Sequence, residues 1–162
     1  MTIRAASNSD AEAICAIWNP VIRDSEITFN AILKTPADIA QMIADKTRAG
    51  HGFLVADGVD ALQGFATYGQ FRAGIGYTRT MEHTVVLPPD TRGKGIGRAL
   101  MAAIEDHART GGAHSIFAGV SSGNPAGVVF HERLGYVHAG TLRQVGWKFG
   151  RWYDLHLMQK ML

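Results

Sequence analysis

"TRGKGIGRAL", Thr91 to Leu100, sets glycines at 93, 95 and 97 among the cations Arg92, Lys94 and Arg98. The apolar run Val85-Val86-Leu87 precedes it across Pro88-Pro89, and "IGRALMAAIEDHARTGG" follows with helical periodicity. A helix N-terminus presents four unbonded N–H groups and the positive end of a dipole, and glycines let a ligand approach the backbone closely. Strand, glycine loop and helix in this order make an anion site of the phosphate class. It is not a P-loop, because Gly97 is followed by Arg98 and Ala99 where that motif needs Lys and Ser or Thr. Nor is it a dinucleotide fingerprint, since G-x-G-x-G here follows the fourth expected strand instead of the first.

The elements on either side set the fold class. "TIRAA" reads as an opening strand, and Ser9 with Glu12 predicts a capping box for a helix whose inner face carries Ala11, Ile14, Cys15, Trp18 and Ile22. Thr35, Pro36 and Asp38 open a second helix expected to reach Gly50. "GFLVAD" and "ALQGFATYGQF" are strands around the hairpin signal Asp57-Gly58, and "TRTMEHTVVL" is a third, stopped by Pro88-Pro89. After the glycine loop and its helix come the strand "SIFAGV", a helix opened by Asn124-Pro125 and closed by Gly135, and two strands divided at Gly150. The predicted order is βααβββαβαββ, a mixed α/β sheet in a single domain over residues 1–162.

Composition excludes several classes. The chain of 162 residues is 46% hydrophobic and 19% charged, which suits a packed domain and not a disordered one. A formal charge of +2 is too small for nucleic-acid binding by counterion release without a concentrated basic patch. The lone Cys15 forbids an internal disulfide and reads as a small core residue. No run suits a membrane span or a signal peptide, so a cytoplasmic protein is expected, and no histidine spacing suggests a metal site.

"RGKGIG" resembles the pyrophosphate-binding signature Q/R-x-x-G-x-G/A of the GNAT N-acetyltransferases, with Arg92, Gly95 and Gly97 on its fixed positions. The element order is also that family's, from end to end. The resemblance implies a mostly antiparallel central sheet flanked by helices, with acetyl-CoA as cosubstrate. Its pyrophosphate would lie on Arg92, Gly93, Lys94, Gly95, Ile96, Gly97 and Arg98, and its pantetheine arm along Val85, Val86 and Leu87. The family's later motif N-x-x-A-x-x-x-Y-x-x-x-G-F is matched by Asn124, Gly127, His131, Gly135 and Tyr136. Here His131 stands where a tyrosine commonly protonates the departing thiolate. That histidine, with "MEHTVV", "FHERLGY" and "VGWKFGRWYDL", resembles the branch that acetylates phosphinothricin and methionine sulfoximine. The branch implies a small amino-acid acceptor and a homodimer with active sites near its interface.

Acetyl transfer from a thioester requires a neutral amine, yet an α-amino group with a pKa of about 7.7–8.0 is mostly protonated at pH 7. Glu82, just before the cofactor segment, is the candidate base, directly or through a water, and the resemblance puts the family's catalytic carboxylate there. Backbone N–H groups from Thr84 to Val86 would meet the oxyanion if two neighbouring strands splay. His131 is either the thiolate's acid or a packing or substrate contact. Arg72, ahead of the loop Ile75-Gly76-Tyr77, can hold a substrate carboxylate, with Tyr77, Phe29 and Trp18 as candidate walls. Val145, Trp147 and Phe149, with Trp152, Tyr153, Leu155 and Leu157 beyond Gly150, present more apolar surface than an edge hairpin leaves in water. Other amine acceptors (a polyamine, an aminoglycoside or a protein N-terminus) and a non-catalytic acyl-CoA-binding module remain as alternatives.

Overall fold

The computed structural model covers residues 1–162 and has the predicted order: β1 Thr2–Ala5, α1 Ala11–Asp24, α2 Pro36–Arg48, β2 Phe53–Asp57, β3 Leu62–Gln70, β4 Thr80–Val86, α3 Ile96–Thr110, β5 Ser115–Ser121, α4 Pro125–Arg133, β6 Val137–Lys148 and β7 Arg151–Met161. The strands form one sheet in the order β1-β2-β3-β4-β5-β7-β6. Only β4 and β5 run parallel, because α3 carries the chain back between them. Helix α3 buries Leu100, Met101 and Ile104 against one face, with Met81, Ile116 and Met158. On the other face α1 and α2 bury Ile14, Ile17, Ile39 and Ile43 against Val55 and Phe65. No helix is long and apolar enough to cross a membrane.

Local signals held where their partners were local. Thr35 Oγ1 accepts from the Asp38 N–H at 3.2 Å, and Asp38 accepts from the Thr35 N–H at 2.8 Å, as the box predicts. At α1 the reading shifts: the box is Ser7 with Asp10, not Ser9 with Glu12. Asp10 accepts from the Ser7 N–H at 2.7 Å and from both terminal nitrogens of Arg4 at 2.9 Å. Those bonds hold its carboxyl down at about 2 and anchor the turn to β1. Helix α2 stops at Arg48, short of Gly50, whose φ of 71° turns the chain toward β2. Asp57 pairs directly with Leu62, so the first hairpin closes through residues 58–61 and not through a two-residue Asp-Gly turn.

The feature that positions the site is a divergence. Strand β4 pairs with β5 only at Thr80–Ser115, Met81–Ile116 and Glu82–Phe117, after which both strands continue apart. Strand β5 keeps its other partner, β7, up to Ser121–Leu155. The sheet therefore opens between His83–Val86 and Ala118–Ser121, as the oxyanion reading requires.

Candidate active site

The glycine loop lies at the mouth of this opening. Gly93 and Gly95 take φ of 76° and 81°, left-handed values that side chains rarely adopt. The N–H groups of Gly93 through Arg98 donate to no backbone carbonyl. They form an unpaired donor array at the α3 N-terminus, which fits a pyrophosphate. Gly97 is glycine for another reason: a Cβ there would lie 2.9 Å from Leu87 Cδ1 and 3.2 Å from the Phe130 ring.

A groove of about 780 Å³ runs from this loop into the opening, lined by Val85, Val86, Leu87, Arg92, Gly93, Gly95, Gly97, Arg98, Asn124, Gly127 and His131. Lys94 is exposed outside it and the Ile96 side chain is buried in the core, so their share is limited to main-chain groups or long-range charge. Val21 and Ile27 from the α1 side also line it, as do Ala126, Val129, Phe130, Arg133 and Leu134 of α4 and its C-terminus. Sequence reasoning missed these residues. The α4 set could have been found from the helical neighbours of Asn124 and His131, whereas Val21 and Ile27 carry no local signal.

Glu82 is the last β4 residue paired with β5. Its Oε1 lies 3.0 Å from where a Cβ on Gly119 would stand, so the glycine makes room for the carboxylate. Burial pushes the Glu82 carboxyl up, with no ion-pair partner to offset the shift. Phe117, its register partner, stacks on Phe71 at 4.5 Å between centroids. Arg72 follows, exposed, its guanidinium 5.7 Å above the Tyr77 ring. Gln70 holds this loop by donating to the carbonyls of Arg72 at 2.7 Å and Gly74 at 2.8 Å, a support the sequence did not reveal. Ile75, Gly76 and Tyr77 are exposed at the rim. Trp18 is not a wall: it packs 4.9 Å from Phe65 against the α1–α2 core. Phe29 does reach this side, 5.8 Å from Tyr153.

His131 occupies the opposite face of the sheet. Its Nδ1 lies 2.7 Å from the Gly127 carbonyl, which only accepts, so that nitrogen carries the proton and Nε2 of the neutral ring carries none. Nε2 is buried without a partner, as are both nitrogens of His83, the Tyr136 hydroxyl and Glu105 Oε1. These atoms form one cluster: His83 stacks on His131 at 5.0 Å, Tyr136 meets His131 edge-on at 5.2 Å, and Glu105 accepts from Lys160 at 2.6 Å. Burial pulls His131 down, against an upward pull from the Gly127 bond and Glu105, and it holds His83 at about 3. His131 is thus an acid toward a thiolate only in its imidazolium form.

Residues 3–157 match the acetyltransferase (GNAT) domain model. The chain belongs to the GNAT acetyltransferase family. It is 40% identical over 162 residues to the L-methionine sulfoximine/L-methionine sulfone acetyltransferase of Pseudomonas aeruginosa, covering 98% of this chain and 92% of that protein. Among solved structures, a ribosomal-protein-alanine N-acetyltransferase from Brucella melitensis superposes with a TM-score of 0.96 at 37% identity over the whole of both chains. The Salmonella typhimurium protein yncA, solved with acetyl-CoA, gives 0.95 at 34% identity, covering 100% of this chain and 94% of that one. As a GNAT acetyltransferase the chain uses acetyl-CoA, and the unpaired N–H array and the groove suit that cosubstrate.

Proposed function

We propose that this GNAT acetyltransferase transfers the acetyl group of acetyl-CoA to the α-amino group of a small amino acid or analogue of the methionine sulfoximine, methionine sulfone or phosphinothricin type. The observation that carries this reading is Glu82 at the root of the opening, with the arginine-bearing loop tied to its register partner Phe117 by the stack of Phe71. The Pseudomonas aeruginosa relative, named for two such substrates, supports the class.

The Gly93–Arg98 amides hold the pyrophosphate and Val85–Leu87 border the arm that leads the thioester to the opening. Acetyl-CoA supplies the acyl group and a thiol leaving group. Glu82, half-buried, takes the amine proton directly or through a water, which leaves the lone pair free to attack. The strand edge from His83 to Val86, unpaired toward β5, offers N–H groups to the developing oxyanion. His131 donates to the departing sulfur when charged; a thiol with a pKa of about 8.5 leaves without much help, so this step contributes less than the base. Arg72 pairs with the acceptor carboxylate.

The exposed face of the β6–β7 hairpin supports a two-fold dimer. Val145, Trp147, Phe149 and Trp152 are all exposed, with Trp147 and Trp152 edge-on at 5.1 Å. Tyr153, by contrast, is buried, and Leu155 and Leu157 are half-buried, so that part of the hairpin serves the protomer's own core. Light scattering at micromolar concentration tests the pairing, and a monomer there overturns it.

A screen for thiol release from acetyl-CoA tests the function, with methionine sulfoximine, methionine sulfone, phosphinothricin, spermidine, an aminoglycoside and an alanine-terminated peptide as acceptors. The expected result is turnover of the first three at the highest kcat/KM. Preference for the peptide or a polyamine would overturn the substrate class.

A further inference from the structure

Lys148 is a buried cation with no carboxylate partner. It is 5% exposed, and its ammonium donates to three main-chain carbonyls: Ile22 at 2.6 Å, Ser25 at 2.7 Å and Thr28 at 2.8 Å. An ammonium has three N–H donors and each has one acceptor here, so its hydrogen bonding is complete with no carboxylate in contact, while the Asp24 charge supports it from farther off. Ile22 lies in the last turn of α1, where helix carbonyls lack intrahelical partners, and Ser25 and Thr28 lie in the segment leading from α1 toward α2.

Two further ties join the same segment to the same hairpin. The Tyr153 hydroxyl donates to Glu26 Oε1 at 3.1 Å. A Cβ on Gly146 would lie 2.4 Å from the Phe29 ring, so only glycine lets β6 approach that ring so closely. Three residues from β6 and β7 thus grip consecutive parts of 22–29. That segment in turn lies on the Glu82 face of the sheet: Phe29 packs 5.8 Å from Tyr153, which shares a face of β7 with Leu155 and Leu157, the register partners of Ser121 and Gly119, and a Cβ on Gly119 would stand 3.0 Å from Glu82 Oε1. Ile27 of the same segment lines the cofactor groove as well.

We propose that Lys148 is a positioning residue that fixes the Ser25–Phe29 segment as a wall of the acceptor site, with Tyr153 and Gly146 as secondary ties. This rests on the acceptor being bound on the Glu82 face, as argued for the function above. The ties bear on the acceptor and not on the pyrophosphate loop, which is built from the separate Gly93–Arg98 amides. A displacement of about 1 Å in such a wall is enough to cost up to 10²-fold in rate. A merely stabilising role for Lys148, as a cap on the α1 C-terminus, would lower melting temperature without separating the two substrates.

The test combines steady-state kinetics with amide hydrogen exchange on the full-length protein and its Lys148→Met variant. The expected result is a KM for methionine sulfoximine raised about tenfold or more, an acetyl-CoA KM within about twofold of wild type, and faster exchange confined to 22–30. Equal changes in both KM values, or unchanged exchange in that segment, overturn the proposal. If Lys148→Met does not fold, Tyr153→Phe gives the same readout. It keeps the ring against Phe29 and loses only the Glu26 bond, so the acceptor KM should rise about threefold while acetyl-CoA is unaffected, and an unchanged acceptor KM there counts against the wall. Should the wild type acetylate no amine offered, the function fails on its own, and the exchange comparison still decides whether Lys148 fixes the segment.

Discussion

The loop between β4 and α3 offers main-chain N–H groups from one unbroken run, Gly93 to Arg98. The wall around Glu82 instead takes side chains and close glycine contacts from β3, β5, β7 and the segment after α1. Both border the same opening in the sheet, yet on the proposed assignment they recognise differently. The first would grip a group common to every acetyl-CoA and needs only backbone geometry. The second would fit one acceptor and depends on elements far apart in the chain. Changes in the loop should therefore act on cofactor affinity, and changes in the wall on acceptor handling or on turnover.

The largest expected effect separates turnover from binding. Glu82→Gln should keep acetyl-CoA affinity and lower kcat by 10²–10⁴-fold, the usual range for a lost general base, while His131→Ala loses less. A reversed ranking would move the base to the other face of the sheet. The same carboxyl sets a pH limb: it accepts a proton only when ionised, and burial raises its pKa, so kcat/KM should fall as pH drops through a value above the ordinary glutamate value of about 4.3. That acidic limb should vanish from the residual activity of Glu82→Gln.

Next in size, Gly97→Asp should raise the acetyl-CoA Kd by about 10²-fold, since it crowds Leu87 and Phe130 and places a negative charge at the α3 N-terminus. Gly95→Asp acts through its left-handed backbone and the same charge. Calorimetric titration reads both, and an unchanged Kd in folded protein would remove the anion site.

Arg72→Ala is expected to raise KM about tenfold or more for an amino acid and far less for its decarboxylated amine, because only the former loses a charge-assisted pair. Equal changes would show that this wall does not read the carboxylate.

The smallest effect lies behind both regions, at His83. The unfolded chain binds a proton on this histidine from about pH 6.5 downward, the folded chain only near 3, so stability should decline as pH falls across that window. His83→Phe should flatten the decline in melting temperature between pH 6.5 and 4, and an unaltered slope would assign the acid sensitivity elsewhere.

Sequence reading succeeded where cause and consequence are neighbours. The glycine loop, the Thr35 and Asn124 caps and the strand before Pro88 are written in adjacent residues, and the whole element order follows from such signals. It failed where a distant partner decides. Arg4 of β1 draws the first capping box back to Asp10, and Ala61 sets the length of the first hairpin. Gly119 and Lys148 carry no local mark of their contacts, because each meets residues brought to it only by the fold. The place of Glu82 was readable because it lies on β4, the strand that leads into the glycine loop.

The opening between β4 and β5 passes from one face of the sheet to the other, with His131 on one side and Glu82 on the other. Its consequence is kinetic. On the proposed assignment the acyl donor and the acceptor reach the opening from opposite faces and meet in a single ternary complex, so neither product has to depart before the second reactant arrives. The one cysteine, Cys15, is buried under α2, where it cannot serve as an acyl carrier between half-reactions. Initial-rate plots against either substrate should accordingly intersect and not run parallel.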